Sequence, residues 1–187
     1  MIDLMRHLTF LAPRALRWAL PLIAFWALLA TAQSASLTNA TLKVGDLFPD
    51  LGKYELEGEL PGSLAGKVVV VDFWASWCRP CQRTFPLMEE LHHRYEKRGL
   101  LILAVNEDRS RAAMEEFLKE YRVTFGVLRD AKRKLAAAIN VPSLPTSYLI
   151  DGQGRVQSIQ PGARTVANSK DFIRQIETLL EQNHKAQ

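Results

Sequence analysis

A mostly apolar run over residues 67–75 constrains the fold of this chain more than any other feature. It reads Lys-Val-Val-Val-Val-Asp-Phe-Trp-Ala and is rich in β-branched and aromatic side chains. Because polar residues do not alternate with apolar ones, the run is typical of a strand that is buried on both faces. A sheet built on such a strand needs helices on both of its sides.

Helix and strand patterns alternate along the rest of the chain. Apolar residues recur at helical spacing from Leu87 to Tyr95, and Pro86 beside them predicts a kink. The turn sequence at 151–154 predicts a hairpin whose antiparallel strands join an otherwise parallel sheet. The predicted class is therefore α/β, with a central mixed sheet and helices on both faces. The other predicted elements are short extended pieces around 54–56, strands at 100–105, 124–128, 146–150 and 155–159, and helices that begin at Cys78, Ser110, Lys132 and Asn168.

The first residues have the pattern of an export signal. Arginines precede an apolar run over residues 18–32, which ends in the small-residue pattern Ala30-Thr31-Ala32. This predicts a signal peptide over residues 1–32 and a globular domain over residues 33–187. An uncleaved membrane anchor is the alternative, although the run is shorter than the ~20 apolar residues of a comfortable span. Both readings place the domain outside the cytoplasm, in the periplasm or tethered to the inner membrane.

The two cysteines of the chain, Cys78 and Cys81, indicate chemistry rather than stapling. A disulfide between them would close almost no loop and would remove little entropy from the unfolded chain. A disulfide scaffold in an exported domain usually spreads its cysteines along the chain. The formal net charge of +4 is modest, and with no concentrated basic face it gives no reason to expect nucleic-acid binding.

The position of Cys78 just before a predicted helix suits thiol–disulfide exchange. Unpaired N–H groups and the positive end of the helix dipole favour the thiolate there, and Arg79 adds a positive charge. Pro80 fits an early helical position, where its missing N–H does no harm. We expect Cys78 to attack a partner disulfide and the less exposed Cys81 to resolve the mixed disulfide.

Two further residues are candidates for the same site. Asp72 interrupts the apolar run, and burial would raise the pKa of its carboxyl. It would then accept the proton of Cys81 during resolution, unless it is an edge or capping residue. Pro145 precedes the predicted strand 146–150 and is either an ordinary trans proline or a cis proline in a tight turn.

Several segments of the chain resemble the thioredoxin superfamily. The stretch 71–81, Val-Asp-Phe-Trp-Ala-Ser-Trp-Cys-Arg-Pro-Cys, resembles the active-site strand and motif, and 143–151 resembles the cis-proline segment. The lead-in at 43–50 and the stretch 105–108 resemble the TlpA/ResA-like branch of exported or membrane-tethered proteins. The resemblance implies a thioredoxin fold with an N-terminal extension and an extra helix.

The resemblance also implies site roles. Asp72 becomes the buried acid, Pro145 a cis proline beside the cysteines, and Trp77 the aromatic neighbour of the nucleophile. The backbone of Leu144 would pair with an extended segment of the partner protein. No cofactor is implied beyond the redox-active disulfide Cys78–Cys81.

Features of the sequence favour both directions of electron flow. Asp72 and the family resemblance favour a reductase for exported proteins that bear disulfides or thiols, with a membrane thiol protein as electron donor. Arg79 favours the alternative, a disulfide oxidase or isomerase. Some reducing relatives carry an acid shortly after the second cysteine, where this chain has Arg83 and Thr84.

Two other functions stay open on the residues alone. The first is a copper carrier for metal-site assembly, because two thiolates bind Cu(I). We expect no metal ligands beyond the two cysteines, since His92 and His93 are expected on an exposed helix surface. The second function is that of an adaptor domain whose cysteine site is inactive.

Overall fold

The apolar run forms the central strand of a five-stranded sheet in the computed structural model, which describes residues 41–163 and 166–185 and only the backbone of residues 166 and 167. The signal peptide predicted for residues 1–32 lies outside the described residues. The strand order is β3-β2-β1-β4-β5, with β1, β2 and β3 parallel and β4 and β5 antiparallel to their neighbours. The predicted mixed sheet is confirmed. The strands are β1 Val68–Trp74, β2 Leu100–Asn106, β3 Gly126–Arg129, β4 Thr146–Ile150 and β5 Val156–Pro161.

Helices cover both faces of this sheet, as the buried central strand requires. The side chains of α2, α3 and α5 share one apolar cluster with both cysteines, so we call this side the cysteine face. The short helix α4 and the lead-in around Leu51 cover the opposite face. The helices are α1 Arg79–Gln82, α2 Phe85–Tyr95, α3 Arg111–Tyr121, α4 Lys134–Ala138 and α5 Val166–Lys185, with 3₁₀ turns at Leu51–Lys53 and Glu96–Arg98.

Alternation along β1 decides which side chains lie below the cysteines. Val70 and Trp74 belong to the cysteine-face cluster, whereas Val71 and Phe73 belong to the opposite one. Because side chains of a strand alternate between faces, Asp72 lies on the cysteine face. The acid that interrupts the apolar run therefore lies on the same side of the sheet as both cysteines.

An aromatic cluster anchors the helices to the end of β1. The ring of Trp74 lies 4.7 Å from the rings of Phe85 and Phe117, which lie 4.9 Å from each other. Edge-to-face and tilted contacts of this kind are favourable beyond the area that they bury. They join β1, α2 and α3 within the same apolar cluster as the cysteine pair.

The predicted kink at Pro86 is wrong in its form. The chain makes two helices, α1 and α2, and the break lies at 83–84. Pro86 lies in the first turn of α2, where its missing N–H breaks no helical hydrogen bond. The hydroxyl of Thr84 donates to the carbonyl of Cys81 at 2.8 Å and satisfies an acceptor at the end of α1.

Two smaller predictions, those for Asn168 and His92, also need correction. The last helix begins at Val166, so Asn168 is not its cap. The extended piece predicted around 54–56 is present as extended backbone at Tyr54 (φ −112°, ψ 146°), and Glu57 just after it forms an isolated bridge to Arg129 of β3. His92 is largely buried, with its ring edge-on to Phe125, whereas His93 is exposed as expected.

Candidate active site

The cysteine pair lies at the junction of β1 and α1. Cys78 is the N-cap of α1, and its sulfur is 2.07 Å from the sulfur of Cys81 in a disulfide. The backbone N–H of Cys81 donates to Sγ of Cys78 at 3.3 Å. Pro80 occupies the first turn of α1, as predicted. The pair is thus held where the first N–H groups of a helix face a sulfur atom.

The two sulfurs differ in their access to solvent. Cys78 is 4% exposed, whereas Cys81 is fully buried. An incoming disulfide therefore meets Cys78 first. Thiol exchange needs access as well as a thiolate, so this difference favours Cys78 as the attacking residue.

Asp72 is buried on the cysteine face of β1 and contacts Ser147 of β4. The two residues are opposite each other in the antiparallel register of β1 and β4. The hydroxyl of Ser147 donates to Oδ1 of Asp72, and both side chains are buried. Sequence reasoning identified Asp72 but missed Ser147, because the register of the two strands was needed to pair them.

The segment before β4 closes another side of the site. The Leu144–Pro145 peptide bond is cis, as the family resemblance implies. The hydroxyl of Thr146 donates to the carbonyl of Ser143 at 2.7 Å, and the N–H of Gly162 donates to the carbonyl of Pro145 at 2.7 Å. Leu144 is half-buried and packs against both apolar clusters.

A polar network ties the loop before Cys78 to the end of β2. Oδ2 of Asp108 accepts hydrogen bonds from the backbone N–H of Ser76 at 2.9 Å and from the Asn106 amide at 2.8 Å. Oδ1 of Asn106 in turn accepts from the N–H of Asp108 at 2.9 Å. Asp108 and Asn106 are buried, so these bonds replace water that the groups have lost. The sequence signal was the polar triplet that directly follows an apolar strand.

Arg129 holds the same loop from the neighbouring strand. One end of its guanidinium donates to the carbonyls of Asp108 and Arg109 at 3.2 and 3.0 Å. The other side makes a two-point contact with the Glu57 carboxylate at 2.8 and 3.0 Å. The hydrogen bond from Arg129 lowers the pKa of Glu57, and Arg111 adds to this effect. The lead-in is thus attached to the site through one buried arginine.

A groove of about 580 Å³ is lined by Trp77, the residue before Cys78, and we call it the Trp77 groove. Trp77 is 69% exposed, although it is large and aromatic. Leu144 and Pro142 form the apolar wall of the groove, and the loops after β2 and β3 form its polar wall. The walls include Trp77, Glu107, Arg109, Arg133, Pro142 and Leu144.

Glu107 is a second buried acid that sequence reasoning did not assign to the site. Its Oε2 lies 2.6 Å from Nε of Arg133, and its side chain is 2% exposed against 61% for the arginine. Burial raises the pKa of the Glu107 carboxyl, against the opposing effect of Arg133. Burial, and then the nearby Glu107, raise the pKa of Tyr148 to about 12.

Over 41–163 and 166–185, no three His, Cys, Asp or Glu side chains converge as metal ligands would. Over the same residues, no helix combines the length and apolar character of a membrane span.

Comparisons with known proteins agree with this geometry. Residues 44–159 match the AhpC/TSA family. The chain is 34% identical over 167 residues to the thiol-disulfide oxidoreductase ResA of Geobacillus kaustophilus, covering 88% of this chain and 94% of that protein. It is 35% identical over 140 residues to ResA of Geobacillus thermodenitrificans, covering 74% and 80%. A solved structure from Chlorobium tepidum, described as a thiol:disulfide interchange protein DsbE, is 34% identical with a TM-score of 0.69, covering 75% and 99%.

Proposed function

Because this chain belongs to the AhpC/TSA family and is a thiol–disulfide oxidoreductase with a thioredoxin-like fold, we propose that it reduces disulfides of exported proteins outside the cytoplasm. The observation that carries the proposal is the arrangement of the cysteine pair. Cys78 is 4% exposed at the start of α1, Cys81 is fully buried, and Asp72 is buried on the same face of the sheet. Export rests on the signal pattern at residues 1–32.

The reaction begins with the dithiol form of the protein. The thiolate of Cys78 attacks one sulfur of the partner disulfide, which breaks that bond, forms a mixed disulfide and releases the other partner sulfur as a thiolate. The N–H groups at the start of α1 and the charge of Arg79 favour this thiolate. We expect the pKa of Cys78 to lie below the ~8.5 of a free thiol.

Cys81 then resolves the mixed disulfide. Its sulfur attacks Cys78, forms the internal disulfide and releases the second partner sulfur, while its proton passes to the Asp72 carboxylate and on to solvent. In total, two electrons and two protons leave the protein and the partner becomes a dithiol. A membrane thiol protein would return the enzyme to its dithiol form, because exported compartments are kept oxidising.

Partner binding uses the segment beside the disulfide. An extended segment of the partner would hydrogen-bond the backbone at Leu144, as in short cases of strand addition. Trp77 would cover one side of the reacting sulfurs and exclude water. The Cys78–Cys81 disulfide itself is the redox centre, and the proposal needs no other cofactor.

Trapping tests the proposed roles. Cys81→Ser removes the resolving sulfur, so mixed disulfides with exported proteins should accumulate on Cys78 and disappear on treatment with dithiothreitol. The double variant Cys78→Ser/Cys81→Ser is the control and should capture none. Adducts that form equally well on Cys78→Ser, or none on Cys81→Ser, would remove the assigned roles.

The reduction potential tests the direction. Equilibration with glutathione buffers should give a value near the ~−270 mV of thioredoxin, because a reductase needs a stable disulfide form. A value near ~−120 mV would make the protein an oxidase instead. Mass spectrometry of the protein in a periplasmic fraction tests export and cleavage. Its presence there supports export, and the mass of residues 33–187 supports cleavage after residue 32.

A further inference from the structure

The charges around the Trp77 groove are unbalanced. Two arginines, Arg109 and Arg133, line it with a single carboxylate, that of Glu107. Glu107 is already paired, because its Oε2 lies 2.6 Å from Arg133. The side chain of Arg109 is exposed and has no ion pair within 41–163 and 166–185. The groove therefore has a net positive charge, which is that of Arg109.

Further positive charge lies in the residues that follow Cys78. Arg79 and Arg83 are exposed at the two ends of α1, and no acid among the described residues pairs with either. The other acid of the loop, Asp108, is buried and accepts hydrogen bonds from Ser76 and Asn106. Among the described residues that line the groove, the acid is Glu107, and it is already paired with Arg133.

The backbone that carries these arginines is held in place. The carbonyl of Arg109 accepts a hydrogen bond from the buried Arg129 at 3.0 Å. Arg133 is held from below by Glu107, and its own N–H donates to the carbonyl of Asp130 at 2.8 Å. The fixed backbone keeps both side chains at the groove, where an arginine recognises a carboxylate through two parallel hydrogen bonds.

The apolar part of the groove suits a polypeptide. Trp77 and Leu144 provide uncharged surface next to the disulfide, and Trp77 is mostly exposed. The groove volume of about 580 Å³ lies within the range of known ligand sites, ~300–1,000 Å³. An extended segment would fit its apolar side chains here and present polar ones to the rim.

We propose that the Trp77 groove binds an extended segment of the partner protein that carries an acidic side chain close to its reactive cysteine. The proposal rests on the disulfide-reducing function above and adds the chemistry of its substrates. Arg109 makes the ion pair with the partner, Arg133 strengthens it, and Trp77 and Leu144 contact the neighbouring side chains.

Three synthetic peptides test this preference. They share one intramolecular disulfide and differ only in two flanking residues, which are Asp, Asn or Lys. The dithiol protein is mixed with each, and the bimolecular rate constant is followed by tryptophan fluorescence. We expect the rate constant to be highest for the Asp peptide, intermediate for the Asn peptide and lowest for the Lys peptide, with about a fivefold difference between the extremes. The difference should shrink in 0.5 M salt because the charges are exposed.

Variants locate the preference. Arg109→Gln should lower the Asp-to-Lys rate ratio by about two- to threefold, and Arg109→Glu should bring it below one. Each ratio is internal to one variant, so a general change in cysteine reactivity cancels. Lys67→Gln is the matched control, because Lys67 lies before the opposite, amino end of β1 and should leave the ratio unchanged.

Equal rates for the three peptides would overturn the proposal and leave the reductase function intact. A ratio that survives in both Arg109 variants would overturn the assignment to this groove. Failure to reduce any of the peptides would instead overturn the proposed function, so the two failures are distinguishable.

Discussion

The floor of the active site and the Trp77 groove beside it are built in opposite ways. Cys81, Asp72 and Ser147 form the floor, and all three are buried on sheet or helix positions whose neighbours are set by register. The groove consists of loop residues and includes the most exposed aromatic residue described, Trp77. The difference indicates a separation of tasks, since exchange chemistry needs fixed, dry geometry, whereas recognition needs accessible side chains.

Asp108 joins the two regions. Its carboxylate accepts from Ser76, two residues before Cys78, and its backbone carbonyl accepts from Arg129. The adjacent residues Glu107 and Arg109 line the groove. Substitutions in the floor, at this junction and in the groove should therefore have different consequences.

The largest effect should come from the floor. Asp72→Asn keeps the shape and removes the proton acceptor, so resolution of the mixed disulfide by Cys81 should slow about 100-fold near neutral pH. Quenched-flow decay of a preformed mixed disulfide between pH 6 and pH 9 measures this step. Ser147→Ala is the comparison and should have a smaller effect. An unchanged rate in Asp72→Asn would mean that the floor does not take part in proton transfer.

A substitution at the junction should mainly affect stability. Asp108→Ala leaves the Ser76 N–H and the Asn106 amide without their acceptor, which should cost about 2–4 kcal/mol in the free energy of unfolding. Urea denaturation measures the loss. Glu116→Ala, which removes an exposed acid on α3, should stay within about 0.5 kcal/mol of wild type. Similar losses for both variants would show that the network does not carry the loop.

The acid of the groove should have a pH-dependent effect. Burial raises the pKa of Glu107 above its ordinary 4.5, so the folded state binds its proton more tightly than the unfolded state. Its contribution to stability is then fully present below the unfolded pKa and is lost as pH rises through the folded pKa.

Glu107→Gln removes that titration. The difference in free energy of unfolding, wild type minus variant, should therefore decrease from about pH 4 upward. Urea denaturation of both proteins across the pH range provides the measurement. A difference that stays constant, or increases with pH, would contradict the assigned direction of the pKa shift.

The smallest effect on stability should come from the groove wall. Trp77→Ala removes a mostly exposed side chain, so the free energy of unfolding should change by only about 0.5 kcal/mol. Peptide disulfides should nevertheless react several times more slowly relative to a small aromatic disulfide, since the small reagent does not fill the groove. Equal slowing of both reagents would place Trp77 with the floor instead.

Much of the floor was predictable from local signals. The run at 67–75 predicted the central strand, the cysteine spacing predicted the exchange site, and the position of Asp72 inside this apolar run predicted its burial. The cis bond before Pro145 followed only from the family resemblance, because the bond is trans in most prolines. The helix break was misplaced because a proline within an apolar pattern fits both a kink and a new first turn.

The sequence by itself determined the order of the elements, the buried strand and the residues able to perform thiol chemistry, because each depends on neighbours a few positions apart. Only the tertiary structure decided that Ser147 faces Asp72, that Asp108 holds Ser76, and that Glu107 lies beneath Arg133. These contacts join residues 75, 32 and 26 positions apart or depend on strand register. No periodic pattern records such pairings, since they arise only when the sheet aligns the ends of its strands.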